Sequence, residues 1–356
     1  MAISKIPSAG FQDNVKFRNL IINGGMDIAQ RGTSFSVSDN IYTLDRFLTE
    51  FSGFGAFTLT QSTDSPDGFG HSLKLDCTTA DASPASGDVF QLFHKIEGQN
   101  LQYLKKGTSS AESTTVSFFV KSNKTGNMQV NLRDAPNNRI IGGVYTINTA
   151  NTWEKKTITF AGDTSGAIDN DNTEGLSLEF PIGSGSDNSS GSVPTTWQTK
   201  DNADRNAGST INLADSTSNE WYVTGIQLEA GSVASDFEFL PVDVNLKRCE
   251  RYCQLIVSGD SRVITNGAVY STSQAYGAYM FRQRMRASPS FTQTTGSGYY
   301  RFRNRASDEH VSSFAFANTS DYSTRVNATS SGMTVGDAGW FTANSSSSKI
   351  ISDAEL

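Results

Sequence analysis

Thr115–Leu132 reads TVSFFVKSNKTGNMQVNL. Val116, Phe118 and Val120 stand at alternate positions before the cluster Lys124-Thr125-Gly126-Asn127, and Met128, Val130 and Leu132 do so after it. Successive side chains of a strand point to opposite faces, so a period of two builds one apolar and one wet face. A helix, with its longer period, would scatter the same residues around its circumference. The stretch therefore predicts two strands separated by a turn whose Gly and Asn tolerate a left-handed backbone.

The same alternation recurs outward in both directions: Phe57-x-Leu59, Leu73-x-Leu75-x-Cys77, Ile158-x-Phe160, Leu176-x-Leu178-x-Phe180 and Ile226-x-Leu228. Turn clusters separate these runs, among them Ser65-Pro66-Asp67-Gly68, Asp134-Ala135-Pro136-Asn137-Asn138 and Gly183-Ser184-Gly185-Ser186. About eight strands, each with one wet face, predict an antiparallel jelly-roll sandwich over residues 17–241. After Pro241, Leu246, Cys249, Cys253 and Ile256 follow helical spacing, with Asp243 as N-cap and Gly259 as stop. That predicts a short bridging helix over 242–258. Short alternating runs then resume, giving a second, smaller β domain over 259–356. The fold class read from the chain is all-β.

At 356 residues the chain is long enough for two domains. Its charged fraction, 18%, is below the roughly 25% of an average globular protein, while 22 Phe and 11 Tyr supply real cores. Residues 243–356 hold 12 Lys and Arg against 9 Asp and Glu, a net +3; residues 1–242 hold 17 against 27, a net −10. An acidic body argues against general nucleic-acid binding. No apolar run reaches the roughly 18 residues of a membrane span, and Met1–Gln12 has no signal-peptide pattern, so synthesis in a cytoplasm is expected. Cys77 continues a core alternation. Cys249 and Cys253 are four apart on the predicted helix, poor geometry for a disulfide, and have no further Cys or His at ligand spacing. No metal and no cofactor are expected.

Three histidines, His71, His94 and His310, leave little for general-base chemistry, and no nucleophile motif, zinc motif or phosphate loop is present. Gly24-Gly25 and Gly142-Gly143 read as turns. Asp163, Asp169, Asp171 and Glu174 loosely imitate a calcium loop but lack its central Gly and terminal Glu, so a solvated turn is expected. A carboxylate pair for glycoside hydrolysis stays open as a minority reading. The chain is read as no enzyme. The polar stretch Asp187–Asn206 reads as an extended surface loop, where binding functions are often placed. Within it, Trp197 could stack on a pyranose ring while Asn202, Asp204 and Asn206 bond its hydroxyls. Trp153 reads as a sandwich-edge residue and Trp221 as core. Two further segments, Phe281–Arg286 and Tyr300–Arg305, read as strands with three arginines on one face. They need carboxylate partners such as Asp308, Glu309, Asp321 or Asp353, within the chain or across subunits, or an anionic ligand.

Several segments together carry a family resemblance: Asn19–Gly24, Ala29-Gln30-Arg31-Gly32-Thr33, Asp45-Arg46-Phe47, Ile96-Glu97-Gly98-Gln99, Thr115–Ser122, Thr152-Trp153-Glu154, Gly225–Glu229, Phe237-Glu238, Arg251-Tyr252 and the terminal Asp353-Ala354-Glu355-Leu356. The chain resembles the tail fibres and related virion surface proteins of tailed bacteriophages, and its sandwich part is similar to carbohydrate-binding modules. The resemblance spans nearly all of residues 17–356. It implies a non-enzymatic, homotrimeric particle protein on the tail or capsid surface that recognises host surface glycans. The alternatives are a capsid decoration (head fibre or knob) or tail-assembly protein with no ligand and, less readily, a glycan depolymerase. It carries over no ligand residues, because the shared motifs are structural. Residues 1–16, with Ile3, Ile6 and Phe11 in no helical or strand period, are expected to be an extended attachment arm that docks on other virion proteins.

Overall fold

The computed structural model describes residues 18–305 and 308–356. The attachment arm, with Ile3, Ile6 and Phe11, lies outside the described residues. The first body runs through thirteen strands: β1 (Ser34–Ser36), β2 (Ile41–Tyr42), β3 (Phe47–Ser52), β4 (Ala56–Ser62), β5 (Ser72–Thr79), β6 (Val89–Glu97), β7 (Thr114–Ser122), β8 (Gly126–Asp134), β9 (Arg139–Ile147), β10 (Glu154–Phe160), β11 (Glu174–Ser184), β12 (Gln198–Thr199) and β13 (Glu220–Ala230). They form two sheets, ordered β1-β4-β5-β13-β7-β10 and β12-β9-β8-β11-β6-β3-β2. The strands pair antiparallel and the two sheets close on one core, a jelly-roll sandwich.

Strands β7 and β8, from the stretch quoted first, lie in different sheets. The chain between them is an arch across the core, and Val116, Phe118, Val120, Met128, Val130 and Leu132 meet from both sides, all buried. Phe118 stands edge-on to Tyr145 and Phe180 at ring separations of 5.0 and 5.1 Å, a favoured aromatic geometry. Trp221 is buried in the same core, as is Cys77; all three cysteines are free and buried.

Two expectations about the strands need correction. Among the described residues there are thirteen rather than about eight, because β1, β2 and β12 are too short to show a period and β3 and β9 each bury three neighbouring residues instead of alternating. Nor does every strand keep a wet face. Six of the nine residues of β8, eight of β6 and nine of the eleven of β11 are buried, since a polar loop lies on the outside of their sheet. A strand covered on both sides has no need to alternate.

The bridging helix is shorter than its stripe predicted. α1 spans Val242–Glu250, and its N-cap is Pro241, which contributes no side-chain bond; Asp243 sits in the first turn. Cys253 and Ile256 belong instead to β14 (Cys253–Ser258), which pairs with the last strand about a hundred residues later. A long-range ladder outweighs a weak local periodicity.

The second body continues with β15 (Val263–Ser271), β16 (Gln274–Met280), β17 (Ser290–Gln293), β18 (Tyr300–Asn304), β19 (Asp308–Val311), β20 (Ala315–Ala317), β21 (Ser323–Thr329), β22 (Ala338–Ala343) and β23 (Lys349–Asp353). A three-stranded sheet, β14-β23-β17, packs with a seven-stranded one, β19-β18-β22-β15-β16-β21-β20, around Tyr300, Phe302, Phe314 and Phe341. Phe281–Arg286 is not a strand. Arg282 pairs with Glu250, Arg284 with Asp321, and Arg286 donates to the carbonyls of Asn172, Ala354 and Glu355. Arg301 and Arg303 share Asp308. Five of the six arginines thus find partners in their own chain, so they give no reason to require a neighbouring subunit.

The two bodies meet at a charged junction. Glu355 is buried between Arg46 and Arg31, and Arg31 also reaches Asp353 at 2.6 Å. The Arg46 guanidinium lies 3.5 Å from the centre of the Tyr252 ring, and the Tyr252 hydroxyl donates to Glu97, which also takes a two-pronged bond from Arg251 at 2.7 Å. Tyr42 donates to the Leu356 carbonyl at 2.7 Å. Asn19 Nδ2 donates to the Ile226 carbonyl at 3.0 Å. The junction joins residues 31–46 to Glu97, to Arg251-Tyr252 and to residues 353–356.

Candidate functional site

The loop singled out in the sequence is a roof rather than a display. Between Ser186 and Ile211 it forms two short turns, Ser186–Asn188 and Asn202–Asp204, around β12. Trp197 is half-buried against the sandwich core. Its indole N–H donates to the Ala161 carbonyl at 2.7 Å, and the Lys106 ammonium stands 4.5 Å from its ring centre. Asp204 accepts from the Ser192 amide and from Gln198, both at 2.8 Å. Asn206 is buried, donating to Ser184 and accepting from Ser209. Asn202 stays exposed and accepts from Lys200. The four residues thus share one loop, but their polar groups are spent on protein partners, in the loop or on the sandwich beneath it. Trp197 is half-buried against the core rather than standing fully open on the loop.

The sheet beneath explains why. Its outer face carries Gln91, Gln129, Asn131 and Glu179, and buried polar groups must find partners. Arg205 supplies them from the loop. It bonds Glu50 at 2.7 Å and Gln91 at 2.6 Å, and stands 3.7 Å from Glu179. Gln129 and Asn131 donate to the carbonyls of Asp204 and Arg205 at 2.8 Å.

Asp163 lies in no solvated turn. It is buried beside Lys106 at 2.8 Å and Arg139 at 2.7 Å, with Asp134 on the far side of Lys106. Asp171 accepts from Thr173 in its own turn, and Glu174 pairs with Lys95. Burial raises the Asp163 carboxyl, but bonds from Arg139 and Lys106 outweigh it and hold the group at about 2, below its ordinary 3.8. A depressed carboxylate contributes stability that is complete above its unfolded-state pKa and lost as pH falls through the folded one. Acid titration of the unfolding free energy should therefore show about 2 kcal/mol disappearing between roughly pH 4 and pH 2. Asp163→Asn should flatten that limb, and an unchanged limb would contradict the assignment. Among the described residues no cluster of three His, Cys, Asp or Glu side chains could hold a metal ion. His94 is buried against Ile22, and burial and Arg46 push its pKa well down; His71 meets Asp27 at 2.9 Å.

Open surface with binding character lies on the second body instead. The outer face of the seven-stranded sheet is set by register. Arg303 pairs with Trp340, Trp340 with Asn266, and Arg325 with Ala278, so these residues line one row across five strands. Ala268 pairs with Tyr276 in the next row. Together Asn266, Ala268, Tyr276, Ala278, Ser323 and Arg325 line a shallow trough of about 680 Å³. Its floor is made of small side chains. On the neighbouring strand, opposite Asn266, stands Trp340, 43% exposed, and the lining residue Tyr276 stacks on Tyr270 with ring centres 4.9 Å apart. Beneath the floor, Gly267 faces Gly277 across the strands, and a Cβ on either would come within 2.6 Å of the Phe341 ring. The glycine pair lets Phe341 press against the back of the sheet.

Sequence reasoning missed this site. The polar loop singles out Trp197, and nothing in the order of residues marks Trp340. The available signal was the wet-face set of β15 and β16, where Tyr270, Tyr276 and Met280 replace the usual Thr and Lys.

No protein-family model matches the chain, and no curated protein matches it. Solved structures do align with it at low identity. The enzymatically active domain of tailspike protein 4 of bacteriophage CBA120 is 11% identical at a TM-score of 0.33, over 60% of this chain and 22% of that one. The chain therefore spans about a fifth of that domain's length. A putative sugar binding protein from Bacteroides thetaiotaomicron is 9% identical at a TM-score of 0.33, over 60% of this chain and 99% of its own. A family 11 carbohydrate-binding module from Clostridium thermocellum, in complex with a mixed-linked tetrasaccharide, is 12% identical at a TM-score of 0.29, over 57% of this chain and 98% of that one. Scores near 0.3 carry no argument about function, and the jelly roll rests on the strand order given above.

Proposed function

We propose that the chain is a non-enzymatic surface protein of a tailed-bacteriophage particle, assembled as a homotrimer, and that it holds host-surface glycans on the outer face of its second body. The observation that carries the glycan reading is the aromatic-sided trough. Trp340, 43% exposed and opposite Asn266, offers an apolar ring beside a floor of Ala268 and Ala278, with Tyr276, stacked on Tyr270, as a wall beyond it and Asn266 and Ser323 supplying amide and hydroxyl partners. Sugar recognition needs that combination, since the C–H face of a pyranose stacks on an aromatic ring while its hydroxyls take hydrogen bonds. The family resemblance supports the particle setting and the trimer.

The test is glycan-array binding by the full chain and by Trp340→Ala. Loss of an anchoring indole from the middle of a site should weaken binding by at least about tenfold. Because the ring is partly exposed, the melting temperature should stay within a few degrees of wild type. Absence of any glycan binding by the intact protein, together with undiminished adsorption of particles that lack it, would dispose of the proposal.

A further inference from the structure

The outer face of the second body carries more positive charge than its own carboxylates answer. Arg301 and Arg303 share the single carboxylate of Asp308, at 3.3 and 3.1 Å. At the other end of the same row, Arg325 meets no carboxylate among the described residues. Its guanidinium carbon lies 4.3 Å from the centre of the Tyr276 ring, and its buried Nε has no hydrogen-bond partner. A guanidinium laid on an aromatic face is held in position while its outer N–H edge stays free for a planar anion.

We infer that the trough takes an acidic polysaccharide. Its carboxylates or equivalent anionic groups meet Arg325, held on the Tyr276 ring, at one end and the Arg301–Arg303 pair at the other, and a sugar face lies on Trp340 between them. This deepens the glycan reading above and rests on it. Arg303 and Arg325 are four strand steps apart, about 19 Å along the sheet at about 4.8 Å per step, which is room for several sugar rings. A neutral glycan would satisfy the ring faces and leave Arg325 unanswered, whereas a carboxylate adds a charge-assisted bond in a fixed geometry. The charge of the whole chain agrees. Residues 243–356 carry a net +3 and residues 1–242 a net −10, so a polyanion is steered to the second body and repelled by the first.

The test uses the full chain against immobilised polygalacturonate, hyaluronan and polysialic acid, each beside the same polymer with its carboxyls reduced to alcohols. A single-stranded oligothymidylate serves as a non-sugar polyanion. At least one acidic polymer should bind, at least tenfold tighter than its reduced form, and the affinity should fall as salt rises. Arg325→Met should lose about tenfold, Arg325→Lys should recover part of the loss, and both should melt like wild type. Four results would overturn the inference. Equal binding of acid and reduced forms would make the ligand a neutral glycan and leave the broader reading standing. No binding to any of the six polymers would reject the acidic class. Equally tight binding of the oligothymidylate would make the face a nucleic-acid platform. Finally, light scattering that shows the oligomer falling apart in Trp340→Ala would make the trough a subunit interface and remove both readings.

Discussion

Glu355→Ala is expected to lower the unfolding free energy by about 3–5 kcal/mol, the usual result of stripping one partner from a buried ion pair. Glu355 is 3% exposed and Arg46 only 1%, so the variant leaves a guanidinium with no water to solvate it. Arg31, which also leans on Glu355, would keep one carboxylate, Asp353. Burial pushes the Glu355 carboxyl up, and Arg46 and Arg31 pull it back down. The loss is therefore an uncompensated positive charge rather than a missing bond. The double variant Glu355→Leu with Arg46→Met should recover most of the stability, because it removes both charges and keeps the volume. Chemical denaturation checks this. A single variant within 1 kcal/mol of wild type would show that the junction does not hold the two bodies together.

Arg205→Ala should cost about 3 kcal/mol or more, with a local signature that Glu355→Ala lacks. Arg205 is the side chain through which the roofing loop grips its sheet, reaching Glu50, Gln91 and Glu179 together. Glu179 is fully buried, and its carboxyl is pushed up by that burial and pulled down by Arg205. Without Arg205 the loop should lift and the polar sheet face should wet. Limited proteolysis should then cut within residues 186–211 well before the rest of the chain unfolds. An uncut loop in a variant with an unchanged denaturation midpoint would refute the roof.

Much of the architecture was legible because it is written in side-chain alternation. Val116, Phe118, Val120, Met128, Val130 and Leu132 all reached the core they promised, as did Leu73, Leu75 and Cys77. The all-β class and the jelly roll follow from such runs, since a half-buried strand must alternate to satisfy both its faces. Why Arg31, Arg46, Glu97, Tyr252 and Glu355 occur together could not be read from order, since they come from far-apart parts of the chain and meet only at the junction.

Tertiary structure decided the rest wherever a residue's neighbour lies far along the chain. Cys253 and Ile256 fitted a helical stripe, but the ladder to Lys349–Asp353 claimed them for a strand. Trp197 sat in a polar loop and looked open, yet that loop folds back on a sheet whose buried Gln, Asn and Glu side chains needed partners. Trp340, Asn266, Ala278 and Arg325 come from four separate strands, and only the register of those strands brings them into one row. Alternation along a strand is a local property and can be read from order. Which strands stand side by side, and which loop covers which face, is set by pairing and burial across the whole chain, and those only the folded molecule determines.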